Sequence, residues 1–387
     1  MHQESPVATI DRDTVLAALG TVLDPDLKKD LVTLGMIRDL VVEGSSVKLT
    51  VMLTTPACPM KDKIKADVEA ALHKVGVDAI EIKMDAEVRK APPKAAPGGH
   101  GHAHGNAQEA RMPGVKAIVA VASGKGGVGK STVAVNLAIS LSKLGAKVGI
   151  LDADIYGPSL PIMLGLKDAR PTMTAEEKIA PVERYGLKVM SMGFMLQHDQ
   201  AVVWRGPMLG KALQQFIEDV DWGSLDYVII DMPPGTGDVQ LSLAQLLPVA
   251  GAVVVTTPQD VAFADVRRAL RMLEMTKTKT LGLVENMSGF VCGNCGAEHA
   301  LFGESRIEAH AKSQKLEVLA KLPLDSVTAV AADKGEPIVI VAPESETALA
   351  YKALAQRVAQ LVAVESHTLE ETQGKFKAFF SNKPTAK

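Results

Sequence analysis

The chain has 387 residues, 47% of them hydrophobic and 22% charged, an ordinary globular balance with room for two or three domains. With a net charge of −3, bulk electrostatics implies neither nucleic acid nor an anionic membrane as a partner. The cysteines, Cys58, Cys292 and Cys295, are too few for a secreted disulfide framework and suit a reducing compartment. Met1 to Asp13 is polar and carries no apolar signal segment. No run approaches the roughly 18 apolar residues of a membrane span, so the expectation is a soluble, cytoplasmic protein.

The first stretch reads as a small α/β domain over residues 1–88. Asp13 to Leu23 has helical apolar spacing. Ile37 to Val42 and Val47 to Leu53 alternate like strands of a hairpin joined across Glu43-Gly44. Lys61 to Val75 reads as a helix and Ala79 to Met84 as a last strand. Cys58 stands just before that helix, whose positive end favours a thiolate. The competing reading is a buried small residue in a tight turn. Residues 89–113 hold Pro92, Pro93, Pro97, Gly98 and Gly99 and little to bury, so they read as a linker. His100, His102 and His104 in it are loose metal ligands or, on composition, plain solvated spacer.

From residue 114 to 364 apolar strands alternate with helices. Ala117–Ala122, Val148–Leu151, Val228–Ile230, Ala252–Thr256, Leu281–Val284 and Val318–Leu322 are near-continuous apolar runs, the pattern of a parallel sheet covered on both faces. The first run leads into Gly124-Lys125-Gly126-Gly127-Val128-Gly129-Lys130-Ser131-Thr132, then a helix over Val133 to Leu144. Strand, glycine loop and helix in that order make a phosphate loop. Its backbone N–H groups wrap a phosphate, Lys130 reaches the outer phosphates, and the Ser131 hydroxyl ligates Mg²⁺. The second strand ends at Asp152, with Asp154 two residues on; this pair orients Mg²⁺ and an attacking water, or else caps the next helix. The third ends at Asp231, a carboxylate placed to hold Mg²⁺ through a water. Met232 to Asp238 follows it as a loop suited to sensing the γ-phosphate. Asn286 by itself reads as a turn residue.

Cys292-Gly293-Asn294-Cys295 lets two thiolates face one soft metal centre. A lone pair cannot close a tetrahedral site, and His299 is the one nearby candidate to extend it. A two-fold homodimer supplies four thiolates at one axis, which fits a bridging [4Fe–4S] cluster or a bridging Zn²⁺. A redox dithiol is the weaker reading, because the pair follows a loop rather than opening a helix after a strand. Two free buried cysteines are the bland alternative. Glu344 to Val362 reads as a closing helix. Residues 365–387 form a polar, basic tail that reads as disordered or as a partner-docking segment, since Asn382 and Pro384 break a helix.

Lys125, directly after the first glycine, makes the loop resemble the deviant phosphate-loop ATPases, which include partition proteins, division-site proteins and nitrogenase iron protein. The resemblance implies an ATP-sandwich homodimer. Lys125 then acts across to the partner's nucleotide, Lys130 and Ser131 act in cis, Asp154 positions the water, and Asn286 reads the adenine edge. Asp152 to Ser159, Asp231 to Asp238, Glu285 to Ser288, the C-x-x-C and Trp204-Arg205-Gly206-Pro207-Met208 more closely resemble the Mrp-type iron–sulfur cluster carriers, from about Val115 to Val362. That family implies a [4Fe–4S] cluster held between subunits under ATP control, taken from scaffold proteins and passed to apo iron–sulfur proteins, with no nucleic acid and no membrane involved. Asp24 to Leu27, Leu34 to Ile37 and Thr54 to Met60 resemble the small domain of iron–sulfur assembly factors. The rivals are a partition- or division-type spatial organiser, a zinc-bridged regulatory dimer and an electron-transfer reductase. The last has two separated single cysteines per chain in its known family, a pattern absent here.

Overall fold

The computed structural model describes residues 10–90, 112–155, 157–195, 206–292, 295 and 297–381. The histidine run from His100 to His104, Tyr156, Trp204, Arg205 and residues 382–387 lie outside the described residues. The chain divides into two compact units, Met1–Val88 and Arg89–Lys387.

In the first unit, α1 (Arg12–Leu19), β1 (Ile37–Glu43), β2 (Ser46–Leu53), α2 (Lys61–Lys74) and β3 (Ala79–Ala86) share one core. β1 and β2 are antiparallel and β3 joins β2 in parallel. Val47, Leu49, Val51 and Leu53 alternate along β2 and meet Val15 and Leu19 of α1 and Ile64, Val68 and Leu72 of α2. Each such side chain contributes about 1.5–3 kcal/mol on burial. Asp11 caps α1 by accepting from the Thr14 N–H at 2.8 Å. The helix ends at Leu19 rather than Leu23, because Gly20 closes it and Leu23 leaves to bridge Asp30.

The second unit begins with β4 (Val115–Ser123), α3 (Lys130–Lys143), β5 (Val148–Asp152) and α4 (Leu160–Met163). A small ribbon of β6 (Thr172–Met173) and β7 (Ile179–Ala180) precedes β8 (Val182–Arg184) and β9 (Leu187–Ser191). Then come α5 (Gly206–Glu218), β10 (Leu225–Asp231), α6 (Asp238–Leu246), β11 (Gly251–Thr256), α7 (Asp260–Met275) and β12 (Thr280–Val291). β13 (Glu298–His299), α8 (Ile307–Ser313), β14 (Val318–Leu324), α9 (Ser326–Asp333), α10 (Ile338–Val341) and α11 (Glu346–Ser381) complete it.

Among the described residues the large sheet runs β13-β12-β11-β4-β10-β5-β9-β8, with β14 also on β12. The interior ladders are parallel, as the apolar runs predict, while β8 and β13 add antiparallel edges. Every residue of β5 and β11 is buried, so both faces of the sheet are covered. The strand expected to stop at Val284 runs on to Val291. In its extension Asn286 pairs with Leu322 of β14, Met287 takes a left-handed φ of +57° at an irregularity, and beyond it Phe290 pairs with Leu324 and the strand meets β13. The tail also departs from expectation: α11 continues through residues 365–381. Leu369, Glu370, Glu371, Gln373, Lys375, Lys377 and Ala378 favour a helix there in spite of Gly374, and no proline intervenes before Pro384.

Candidate functional site

The carboxyl ends of β4, β5, β10 and β12 converge on one crevice, where ligands of open parallel sheets bind. β4 ends at Ser123, and Gly129, at φ +80°, is the N-cap of α3. That conformation is nearly closed to other residues, and a Cβ at Gly129 would strike the Asn286 amide nitrogen. Gly124 is equally constrained, because a Cβ there would run into the α7 backbone at Asp265 and Val266. Close packing therefore demands glycine at both positions, and the loop leads directly into the α3 N-terminus.

Lys130, 6% exposed, directs its ammonium to Asp231 Oδ1 at 2.5 Å and lies 3.8 Å from Asp154 Oδ2. It also donates to the Ser131 hydroxyl at 3.3 Å. Asp231 is fully buried, and its other oxygen, Oδ2, has no partner among the described residues. Burial pushes its carboxyl above the usual range, opposed by the Lys130 charge. An orphaned buried carboxylate oxygen beside a serine hydroxyl and a phosphate-reaching lysine fits the oxygen donor set of Mg²⁺.

Asp152 and Asp154 have different surroundings. Asp152 is fully buried and caged: Ser191 Oγ donates to it at 2.9 Å, the Asp154 N–H at 3.1 Å and the Leu160 N–H at 3.3 Å. Burial, then the neighbouring Asp231 charge, pushes its pKa to about 8. Asp154 faces Lys130 with its carboxylate. The capping reading of Asp152 thus has a physical basis, since it accepts from the first N–H of α4.

The loop after Asp231 is held from both sides. Met232 N–H donates to Val121 O at 3.0 Å, Gly235 N–H to Ser123 O at 3.1 Å, and the Gln240 amide from α6 donates to Pro233 O. The Lys125 carbonyl accepts from Ser123 Oγ at 2.9 Å, while its ammonium has no partner among the described residues. The Thr132 carbonyl accepts from the Asn136 amide at 2.9 Å. Asn286, read from the sequence as a turn residue, sits in β12 and donates to Val128 O at 2.9 Å, bracing the phosphate loop. Its Oδ1 has no partner among the described residues.

β12 then carries the chain to the thiols. Phe290 and Val291 pair with His299 and Glu298, and the Cys292 N–H donates to Ala297 O at 2.9 Å. Cys292 therefore stands where β12 ends, facing Ala297 just before β13. Cys292 is half-buried, Cys295 is exposed, and neither is in a disulfide. His299 does not join them: among the described residues no three His, Cys, Asp or Glu side chains cluster as a metal site. Cys58 corrects a second expectation. Burial, with Asp26 and Asp24 nearby, pushes its thiol up to about 11, so the α2 end does not yield a thiolate.

Sequence reasoning missed Ser191, Gln240 and Glu285. Ser191 had a partial signal: Leu187, Val189 and Met190 are apolar, though Lys188 interrupts them, and Ser191 follows as Asp152 follows Leu151 and Asp231 follows Ile230. Glu285 is buried with Oε1 on Ser305 Oγ at 2.5 Å and Oε2 unpartnered among the described residues; burial raises its pKa. Glu285 opens the Glu285 to Ser288 motif, but nothing there marks its bond to Ser305, and no local pattern marks Gln240.

A parallel sheet with a strand that opens through a glycine loop into a helix, and with acidic ends on the next two strands to one side, defines a P-loop NTPase. The chain belongs to the family described as NUBPL iron-transfer P-loop NTPase, which matches residues 114–359, and residues 12–83 match the family described as iron–sulfur cluster assembly protein. It is accordingly an ATPase. An iron–sulfur cluster carrier protein of Deinococcus radiodurans is 47% identical over 355 residues, covering 92% of this chain and 96% of its own. One from Escherichia coli is 42% identical over 350 residues, covering 90% and 91%. The solved structure of an ADP-bound nucleotide-binding protein from Archaeoglobus fulgidus is 43% identical with a TM-score of 0.53, covering 58% of this chain and 88% of that one. Among the described residues no helix is long and apolar enough to cross a membrane.

Proposed function

We propose that this chain is an ATP-dependent carrier of iron–sulfur clusters. Two copies hold a [4Fe–4S] cluster as cargo between their Cys292 and Cys295 pairs, accept it from scaffold proteins and pass it to apo-proteins in the cytoplasm. The observation that carries the reading is β12, one strand that braces the phosphate loop through Asn286 and delivers Cys292 six residues later. The relatives named as cluster carriers support it.

In this reading the loop amides from Gly124 through Thr132 and Lys130 hold the triphosphate, with Asn286 Oδ1 left to accept from the adenine amino group. Ser131 and Asp231 hold Mg²⁺, which neutralises phosphate charge when bound. When a phosphate arrives, Lys130 turns from Asp231 toward it and frees that carboxylate. Asp154, the less encumbered of the two β5-end carboxylates, orients the water, while Asp152 positions Asp154 through its backbone N–H. Lys125 reaches the partner's nucleotide.

Anaerobic reconstitution with iron and sulfide tests this. The wild type is expected to bind four irons per dimer and to sediment as a dimer. Cys292→Ala and Cys295→Ala each abolish iron binding, and ATP with Mg²⁺ changes the rate of transfer to an apo acceptor. Zinc-only occupancy, or a monomer with a full metal complement, overturns it.

A further inference from the structure

A cavity of about 570 Å³ opens between α6 and α7. Its lining includes Thr236, Gly237, Leu241, Arg267, Met272 and Met275. The apolar part is available for contact: Met275 is 79% exposed at the end of α7. The charged part is one-sided. From Val261 to Thr280 the chain carries Arg267, Arg268, Arg271, Lys277 and Lys279 against Asp265 and Glu274, on a chain of net charge −3. Arg268 pairs with Asp265 at 2.8 Å and Arg271 with Glu274 at 2.8 Å. Arg267 has no partner among the described residues.

We propose that this groove is a docking site for a short segment of the acceptor protein, one that sets a carboxylate beside an apolar side chain. The proposal rests on the carrier reading and names where the recipient is recognised. Arg267 takes the carboxylate through its planar fork, and Leu241, Met272 and Met275 receive the apolar neighbour. Unbranched methionines fit several side-chain shapes, which suits a surface that meets more than one partner. Nucleic acid fits less well, because no aromatic side chain lines the cavity to stack on a base. The position also ties docking to nucleotide. Thr236 and Gly237 belong to the loop after Asp231, and α7 is the helix whose backbone seats Gly124.

The test uses the full chain and a fluorescein-labelled peptide of alternating glutamate and leucine, read by fluorescence anisotropy. Arg267→Glu is expected to weaken binding at least about tenfold, Arg267→Lys less, with ATPase rate and iron content unchanged. A peptide with serine in place of leucine loses affinity as well. Equal binding by Arg267→Glu overturns the proposal, as does displacement of the peptide by a DNA duplex or by phosphatidylserine vesicles. Conversion of Arg267→Glu from dimer to monomer also overturns it, assigning the face to a second copy. Iron uptake is measured separately. Arg267-dependent peptide binding by a protein that takes up no iron leaves the groove standing and removes the carrier reading.

Discussion

The two ends of β12 are built on opposite plans. At Asn286 the strand is buried, bonded to Val128 and near a network inside one chain in which Lys130 pairs with Asp231 and Ser191 donates to Asp152. At Cys292 it ends in a hairpin held by two rungs to β13, with Cys295 exposed and no third ligand within reach among the described residues. A phosphate pocket needs charges fixed before the ligand comes, so it is over-determined. In the carrier proposed above, a cargo site has to let go, and half a ligand set per chain would make release depend on a second body.

That contrast is open to attack by mutation. The largest effect belongs to Lys130→Ala. It removes the phosphate contact and leaves Asp231 buried without its counter-charge. ATP hydrolysis falls about a thousandfold, and chemical denaturation shows a loss of about 3–5 kcal/mol. Iron binding persists if the two ends are independent in assembly; its loss would break the comparison. Cys295→Ser gives the mirror image, no iron but a stability within about 0.5 kcal/mol of wild type, because the side chain is exposed.

Asn286→Ala is smaller. It removes one buried hydrogen bond, about 1–2 kcal/mol, and weakens ATP binding about tenfold by equilibrium titration. Gly129→Ala alone is worse than Asn286→Ala, since the new methyl meets the Asn286 amide. The double variant recovers part of the loss, a non-additivity that identifies the two as one contact.

The smallest effect is in pH. Folding raises the Asp152 pKa from 3.8 to about 8, so the native state holds a proton the unfolded chain has released. Between those limits stability of the nucleotide-free protein falls as pH rises, by at most about 1.4 kcal/mol per pH unit, with Lys130 opposing. Thermal melts of Asp152→Asn flatten this slope; an unchanged slope would show that Asp152 keeps its charge.

The central strands were legible in the sequence because burial on both faces leaves apolar residues at nearly every position, as in Gly251–Thr256 and Leu225–Asp231. The phosphate loop was legible because its backbone shape demands glycine at fixed spacing. The edges were not: Glu298–His299 and Val182–Arg184 are strands only because β12 and β9 offer them a ladder. Residues 365–381 show a third case, a helix where the polar composition and the breakers Asn382 and Pro384 suggest none. Ser191 and Gln240 act through partners 39 and 7 residues away in sequence, and such contacts exist only once the sheet has assembled.

Met287 lies between the two ends of β12 with a left-handed backbone, a shape that costs a side-chain-bearing residue about 1 kcal/mol. Here the register against β14 shifts between Asn286 and Phe290. A straight ladder would move as a stiff plank, carrying any disturbance at one end to the other unchanged. This one is interrupted partway along, so Asn286 and Cys292 stand on two short runs of pairing rather than on one continuous ladder.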